Sequence, residues 1–264
     1  MTTRIVNGLT VELDGTEIGQ AEALLCIHGL GGSSNTWTPV MSAFKGFTII
    51  RPDLPGSARS ELPDEKLSIE LYVEALDQLL SELGIGVVHV VAHSLGTIVA
   101  QHLAVRSPAK VKSLALFGPL VAPPEAARPN ITARAALARN GLTAMQEIAD
   151  AIVKGATSKE TKAEQPAVVA LVRESVMRQS SEGYAQSCEA LAAAQSALIE
   201  SIRIPVLLVT GDQDGVAPVA NVTLMKERID GSRMALLDGC GHWTTFEKPQ
   251  ACMQELQHFY ASIR

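Results

Sequence analysis

Val90-Val91-Ala92-His93-Ser94-Leu95-Gly96 is the stretch that decides the fold. Val87–Ala92 is a β-branched apolar run that reads as a buried strand, and Gly96–Ser107 reads as a helix stopped before Pro108. Between them Ser94 has Ala92 two residues before it and Gly96 two residues after it. Small residues at those places let a strand turn sharply into a helix, which lifts the serine hydroxyl clear of the sheet. Ala92 crowds the turn slightly more than glycine would.

Working outward, apolar runs alternate with amphipathic ones, which predicts βαβ units and a mostly parallel sheet flanked by helices, an α/β fold. Arg4–Leu13 and Ala23–Ile27 read as early strands with the turn Asp14-Gly15-Thr16 between them, and Phe47–Arg51 as a short strand closed by Pro52. Ser68–Leu83 has Ile69, Tyr72, Leu76, Leu79, Leu80 and Leu83 on one helical face, Ser68 to cap it and Gly84 to end it. Val111–Phe117 is another buried strand. From about Leu120 to Ile199 no strand-like run occurs; Ala, Glu and Arg recur at helical spacing, punctuated by prolines. Strand character resumes at Pro205–Thr210 and Arg233–Leu237, with helices near Val219–Ile229 and Pro249–Ile263. The expected organisation is a core of residues 1–119 and 200–264 with an inserted helical cap, 120–199.

The 264 residues are 47% hydrophobic and 19% charged, which is globular, with room for one large domain and an insertion. A net charge of −6 without any Lys/Arg cluster argues against nucleic-acid or anionic-membrane partners. The first residues lack an apolar signal region, and no run approaches the roughly 18 apolar residues of a membrane span. Cys26, Cys188, Cys240 and Cys252 are scattered without a Cys-x-x-Cys pair, which fits a reduced, cytoplasmic protein. Oligomeric state stays open.

A serine nucleophile needs a base, and the base needs an orienting acid. Of six histidines, His242 alone falls in a loop after the last strand, at the carboxyl edge where open α/β sheets carry their sites. His28 precedes a Gly-rich turn, His89, His102 and His258 lie inside elements, and His93 should point away from its neighbour Ser94. The acid is expected in Gly211-Asp212-Gln213-Asp214, where Asp214 is favoured and Asp212, directly after the strand, orders the turn. The loop after Val111–Phe117 reads Gly118-Pro119 and offers no carboxylate. An oxyanion needs preorganised N–H donors. The Leu95 amide opens the helix after the turn, and the Leu30 amide lies in His28-Gly29-Leu30-Gly31-Gly32. That loop is not a phosphate loop, because no Lys-Ser/Thr follows it. No His/Asp/Glu set has metal-ligand spacing, so no metal or cofactor is expected. Cys240 reads as a small apolar filler.

His28-Gly29-Leu30-Gly31, Pro52-Asp53-Leu54-Pro55-Gly56-Ser57, Ala92-His93-Ser94-Leu95-Gly96, Gly211-Asp212-Gln213-Asp214 and Gly241-His242 together resemble the α/β-hydrolase superfamily over nearly the whole chain. The chain order Ser94, Asp214, His242 is the one that resemblance implies. Dehalogenases and epoxide hydrolases of this fold carry Asp where Ser94 stands. Within the superfamily the chain is most similar to 3-oxoadipate enol-lactonases, through Glu182-Gly183-Tyr184-Ala185 and Arg139-Asn140-Gly141-Leu142. It departs from them at Ala92 and Thr97, where that group usually has glycine. Cys240-Gly241-His242-Trp243 resembles the framing of the base in C–C hydrolases of ring-fission products.

The resemblance implies a serine hydrolase of small carboxylic esters or lactones working through an acyl-enzyme. The alternatives are C–C bond hydrolysis and, from a different class, a hydrolase-fold ligand receptor. For the substrate pocket, Trp243, Tyr184, Arg134 and Arg139 are the candidates, with Arg173 and Arg178 as further cations for a carboxylate-bearing ligand; solvated helix faces are the plain alternative for all four arginines.

Overall fold

Asn7 and Gly8 both take positive φ, 49° and 76°. That is the sign pattern of the tight hairpin turn that Asn-Gly favours. The computed structural model, which describes residues 1–263, therefore divides the expected strand Arg4–Leu13 in two. Thr2–Val6 (β1) folds back antiparallel on Leu9–Gly15 (β2), with Val6 opposite Leu9. The last residue assigned to the core, Arg264, lies outside the described residues.

β2 pairs antiparallel with Thr48–Pro52 (β4). All later pairings are parallel, among β4, Ala23–Ile27 (β3), Val88–His93 (β5), Val111–Phe117 (β6), Val206–Gly211 (β7) and Arg233–Leu237 (β8). The eight strands run in the order β1-β2-β4-β3-β5-β6-β7-β8. Every residue of β3, β4, β5 and β7 is buried, as expected of parallel strands covered on both faces.

The two-residue period of a strand sorts the core into two layers. Leu25, Ile27, Val90, Ala92, Leu114 and Leu116 face the layer built on Ile69–Glu82 (α1) and Leu95–Arg106 (α2). Their strand neighbours Leu24, Cys26, Val91, Ala115 and Phe117 face the other layer, where Trp37, Phe44, Cys252, Leu256 and Phe259 pack. Those partners come from the 3₁₀ segment Ser34–Phe44 and from the terminal helix Pro249–Ser262. Val219–Arg228 and the short Thr244–Glu247 complete the core helices.

Between Phe117 and Val206 the described residues contain no strand. They form Arg128–Ala138 (α3), Leu142–Ala156 (α4), Lys159–Glu164 (α5), Pro166–Met177 (α6) and Ser181–Ala193 (α7). This helical segment touches the core at the carboxyl ends of the strands. A Cβ on Gly183 would lie 2.1 Å from the Gly56 carbonyl oxygen, so the bare glycine lets α7 seat against the loop after β4.

The Ser68 hydroxyl accepts from the Leu71 amide at 3.1 Å and satisfies one of the free N–H groups that open α1. Ser68→Ala is expected to destabilise the fold by about 1 kcal/mol, read as a lower urea midpoint at unchanged slope. An unaltered midpoint contradicts the assignment.

Candidate active site

Ser94 sits at φ 52°, ψ −122°, a backbone state that residues with side chains rarely adopt. The turn is held at both sides. Ser94 N donates to the Phe117 carbonyl at 3.0 Å and Thr97 N to the Ser94 carbonyl at 2.8 Å; the Thr97 hydroxyl donates to that same carbonyl at 2.6 Å. A Cβ on Gly96 would lie 2.4 Å from the His28 carbonyl oxygen, and one on Gly29 2.7 Å from the Ser94 Cβ. Both glycines are therefore steric requirements.

The structure brings Ser94, His242 and Asp214 into one hydrogen-bonded line. His242 Nδ1–H donates to Asp214 Oδ2 at 2.8 Å, because an ionised carboxylate only accepts; Nε2 is then left to accept from the Ser94 hydroxyl at 2.8 Å. Burial alone would raise the Asp214 carboxyl. The charge of His242 and its hydrogen bond, with the Ala217 and Val216 amides, outweigh that and hold it below the usual carboxylate value. Those amides donate to Oδ1 at 2.7 and 2.8 Å. Asp212 turns the other way and accepts from the Cys240 amide at 3.0 Å. Gly118, the residue after β6, has φ +54°, and a Cβ there would stand 2.8 Å from His242 Nδ1. Its missing side chain is the space the imidazole occupies.

The Leu30 and Leu95 amides have no protein acceptor among the described residues, and Leu30 lines the same cavity as Ser94 and His242. The Leu30 loop is braced from below. His28 Nε2 accepts from the Leu54 amide at 2.8 Å, so Nδ1–H donates to the Gly29 carbonyl at 2.8 Å. Asp53 accepts from the Ser34 amide at 2.7 Å and pairs with Arg59, also at 2.7 Å.

Two residues without an assigned role in the sequence reading hold the His242 loop. His93 points away from Ser94 as expected, but its Nε2–H donates to the His242 carbonyl at 2.8 Å. Burial drives His93 down to about 3 and keeps it a neutral donor. Glu247 is buried and accepts from the amides of Gly241 and Trp243, both at 3.1 Å, from the Ser158 amide at 2.8 Å and from the Thr161 hydroxyl at 2.9 Å. It ties the His242 loop to α5, and His242 N itself donates to Ala156 at the end of α4, at 2.9 Å. A glutamate five residues after a candidate base, before Lys-Pro, carries no sequence signal of this role.

Above Ser94 opens a cavity of about 450 Å³, lined largely by apolar side chains from α3 and α4, with Trp243, Arg134 and Glu147. Two of the expected pocket residues do not line this cavity. Arg139, the residue that caps α3, pairs with Glu182 at 2.9 Å and Glu189 at 2.7 Å. Tyr184 is buried outside the cavity lining, and its ring edge lies 3.4 Å from where a Gly31 Cβ would stand. Arg173 and Arg178 likewise pair on helix faces, with Asp150 and Glu174. Cys240 is buried beside the His242 loop, and burial raises its thiol, so it stays uncharged.

A family model described as the alpha/beta hydrolase fold matches residues 22–249. The chain belongs to this family. Within it, the chain is 30% identical over 249 residues to 3-oxoadipate enol-lactonase 2 of Acinetobacter baylyi, covering 91% of this chain and 90% of that protein. The solved enol-lactonase of Burkholderia xenovorans LB400 superposes with a TM-score of 0.89 at 26% identity, over 98% of this chain and 100% of that one. A thermophilic esterase from Thermogutta terrifontis shares the fold, with a TM-score of 0.88 at 22% identity over 97% of this chain and 93% of that one. No described helix of this hydrolase-fold protein is long and apolar enough to cross a membrane.

Two outcomes follow from this packing. Gly118→Ala pushes a methyl group into the His242 ring, and the expected result is a roughly tenfold to hundredfold loss of Ser94 labelling by a phosphonate ester, with the fold intact by circular dichroism; undiminished labelling contradicts it. The second concerns pH. Burial holds His28 and His93 below their ordinary value of 6.5, so the unfolded chain takes up protons there that the folded chain refuses. Stability should therefore fall between pH 7 and pH 5, with His93, driven down to about 3, giving a slope on the order of 1 kcal/mol per pH unit once the unfolded form is protonated, and His28 adding in the same direction. The lowered carboxyls Asp53 and Asp214 lose their stabilisation only at more acid pH, below the ordinary 3.8. A urea midpoint that is equal or higher at pH 5 rules this out.

Proposed function

We propose that this protein hydrolyses small carboxylic esters or lactones through an acyl-enzyme on Ser94. The observation that carries the reading is the Asp214–His242–Ser94 line at 2.8 Å per link, ending beside a cavity that the Leu30 loop also lines. His242 Nε2 takes the hydroxyl proton as Ser94 Oγ attacks the carbonyl carbon. Asp214, kept ionised, stabilises the imidazolium and fixes its tautomer. The unpartnered Leu30 and Leu95 amides receive the developing oxyanion. His242 then protonates the leaving oxygen. In a lactone that oxygen remains tethered to the acyl chain. Water, deprotonated by His242, finally releases the acid and restores Ser94.

The lactone arm is supported by the names of two relatives, both enol-lactonases. Arg134 in the cavity suits an acyl group that carries a carboxylate. Trp243 lines the cavity, while the Cys240 thiol is turned to the Gly241 carbonyl, so the framing shared with C–C hydrolases leaves only the tryptophan at the substrate.

The test is steady-state turnover of a carboxylate-bearing enol-lactone beside p-nitrophenyl acetate. Ser94→Ala and Asp214→Asn are expected to lose several powers of ten in kcat, on the order of 10⁴ for the asparagine. Turnover that survives Ser94→Ala overturns the acyl-enzyme. Tight retention of ligand without turnover by the unaltered protein points to a receptor, and cleavage of a dienolate diketone instead of either ester points to C–C hydrolysis.

A further inference from the structure

The Leu30 amide shares a peptide unit with the Gly29 carbonyl, and in a trans peptide the two point in opposite directions. Whatever donates to the Gly29 carbonyl therefore aims the Leu30 N–H. Two donors do so, His28 Nδ1–H at 2.8 Å and the Gly32 amide at 3.0 Å. The Gly32 amide in turn shares its peptide unit with the Gly31 carbonyl. That carbonyl does not bond to the core. It accepts the Ser175 hydroxyl at 2.7 Å, from the last turn of α6. Gln179, just beyond α6, spends its two Nε2 hydrogens on the Ser175 carbonyl at 2.8 Å and the Gly32 carbonyl at 3.1 Å, with the Gly31 carbonyl a longer contact at 3.3 Å, and its Oε1 accepts from the Ala58 amide at 2.9 Å. Both side chains are buried, so water does not compete for these bonds.

Donation to one end of a peptide unit polarises it and strengthens the bond made by its other end. We infer that Ser175 is a positioning residue of the reaction, with Gln179 clamping the same loop: through two successive peptide units Ser175 aligns and polarises the Leu30 N–H that receives the oxyanion. Ser175 donates to the Gly31 carbonyl, the Gly32 amide of that unit donates to the Gly29 carbonyl, and the Leu30 amide is the free end of the second unit, in a residue that lines the cavity with Ser94. The helical cap is in this view a working part of the site as well as a wall of the cavity. Gly31 lies at φ +74°, which a side chain would strain, and a Cβ there would be 3.1 Å from Val176 Cγ2, so glycine suits the close seat of this loop against α6. The inference rests on the acyl-enzyme reading above.

The test compares Ser175→Ala and Gln179→Met, which remove the donors while keeping nearly the same volume, with the unaltered protein and with Ser94→Ala. Ser175 makes the shorter bond, and Ser175→Ala is expected to lower kcat by about tenfold to a hundredfold, less than the roughly 10²–10³ lost with a direct oxyanion donor. KM and the acid limb of the pH–rate profile stay in place, because neither the cavity nor His242 is altered. The inhibition constant of a boronic acid that adds to Ser94 rises by the same factor, and the Leu30 amide resonance moves upfield. Gln179→Met follows the same pattern more weakly. A rise in KM at constant kcat, a boronate affinity that does not track kcat, or a kcat within twofold of the unaltered protein overturns the relay while leaving the acyl-enzyme intact. If the unaltered protein and Ser94→Ala show equal turnover, the acyl-enzyme reading fails and the relay falls with it. Should Ser175→Ala not fold, Ser175→Cys, which keeps a weaker donor in the same place, decides the question by the same boronate affinity and Leu30 resonance.

Discussion

Everything at the carboxyl edge depends on the strained backbone of one residue. Ser94 at φ 52° costs on the order of 1–3 kcal/mol, and it persists because its surroundings allow no relaxation. β5 on one side is buried along its whole length, and α2 on the other begins at the next residue. Gly29 and Gly96 bring neighbouring backbone into the space that relaxation would need. The strain is local, and the packing that opposes it is spread over both core layers.

Three loops must then meet at that serine from separate strands, and none of them is held by the sheet alone. The Asp214 loop is closed on itself by the Val216 and Ala217 amides. The His242 loop hangs on His93 from the core and on Ala156, Ser158 and Thr161 from the helical segment, the last two through Glu247. The Leu30 loop is braced by His28 on one side and by Ser175 and Gln179 on the other. A charge network, buried at Arg51, Glu12 and Asp53 and exposed at Arg59, supports its far end. Arg51 pairs with Glu12 and Asp14, Arg59 bridges Glu12 and Asp53, and Asp53 takes the Ser34 amide. Such a network is costly to bury and more costly to break in part, so it defines one position for the segment that leaves the loop.

The residues legible beforehand are those whose chemistry and local pattern coincide. Ser94 is marked by a turn that demands small neighbours, His242 and Asp214 by standing in loops directly after apolar strands. Residues that act through distant backbone escaped notice. Glu247, Ser175 and Gln179 sit on helices or beside them, where a polar side chain reads as solvated surface. The alternation of a strand turns His93 away from the serine, but its acceptor is 149 positions further along the chain. The hairpin at Asn7-Gly8 did carry a signal, because Asn-Gly adopts positive φ readily. The continuous apolar periodicity around it masked the turn.

Arg139 and Tyr184 show where local pattern stops being informative. Both lie in helices with a mixed polar and apolar face, and a helix can rotate by a residue without changing its periodicity. Only the packing of α3 against α7 decides that Arg139 meets Glu182 and Glu189 while Arg134, five residues earlier, reaches the cavity. From the sequence alone came the class of fold, the strand-to-helix turn at Ser94 and the chain order of its partners, because these are set by residue size and by periodicities within a few residues. Which helix face lines the cavity, and which side chains brace the loops, was decided by tertiary structure, because hydrogen bonds between remote backbone groups leave no periodic trace in the chain.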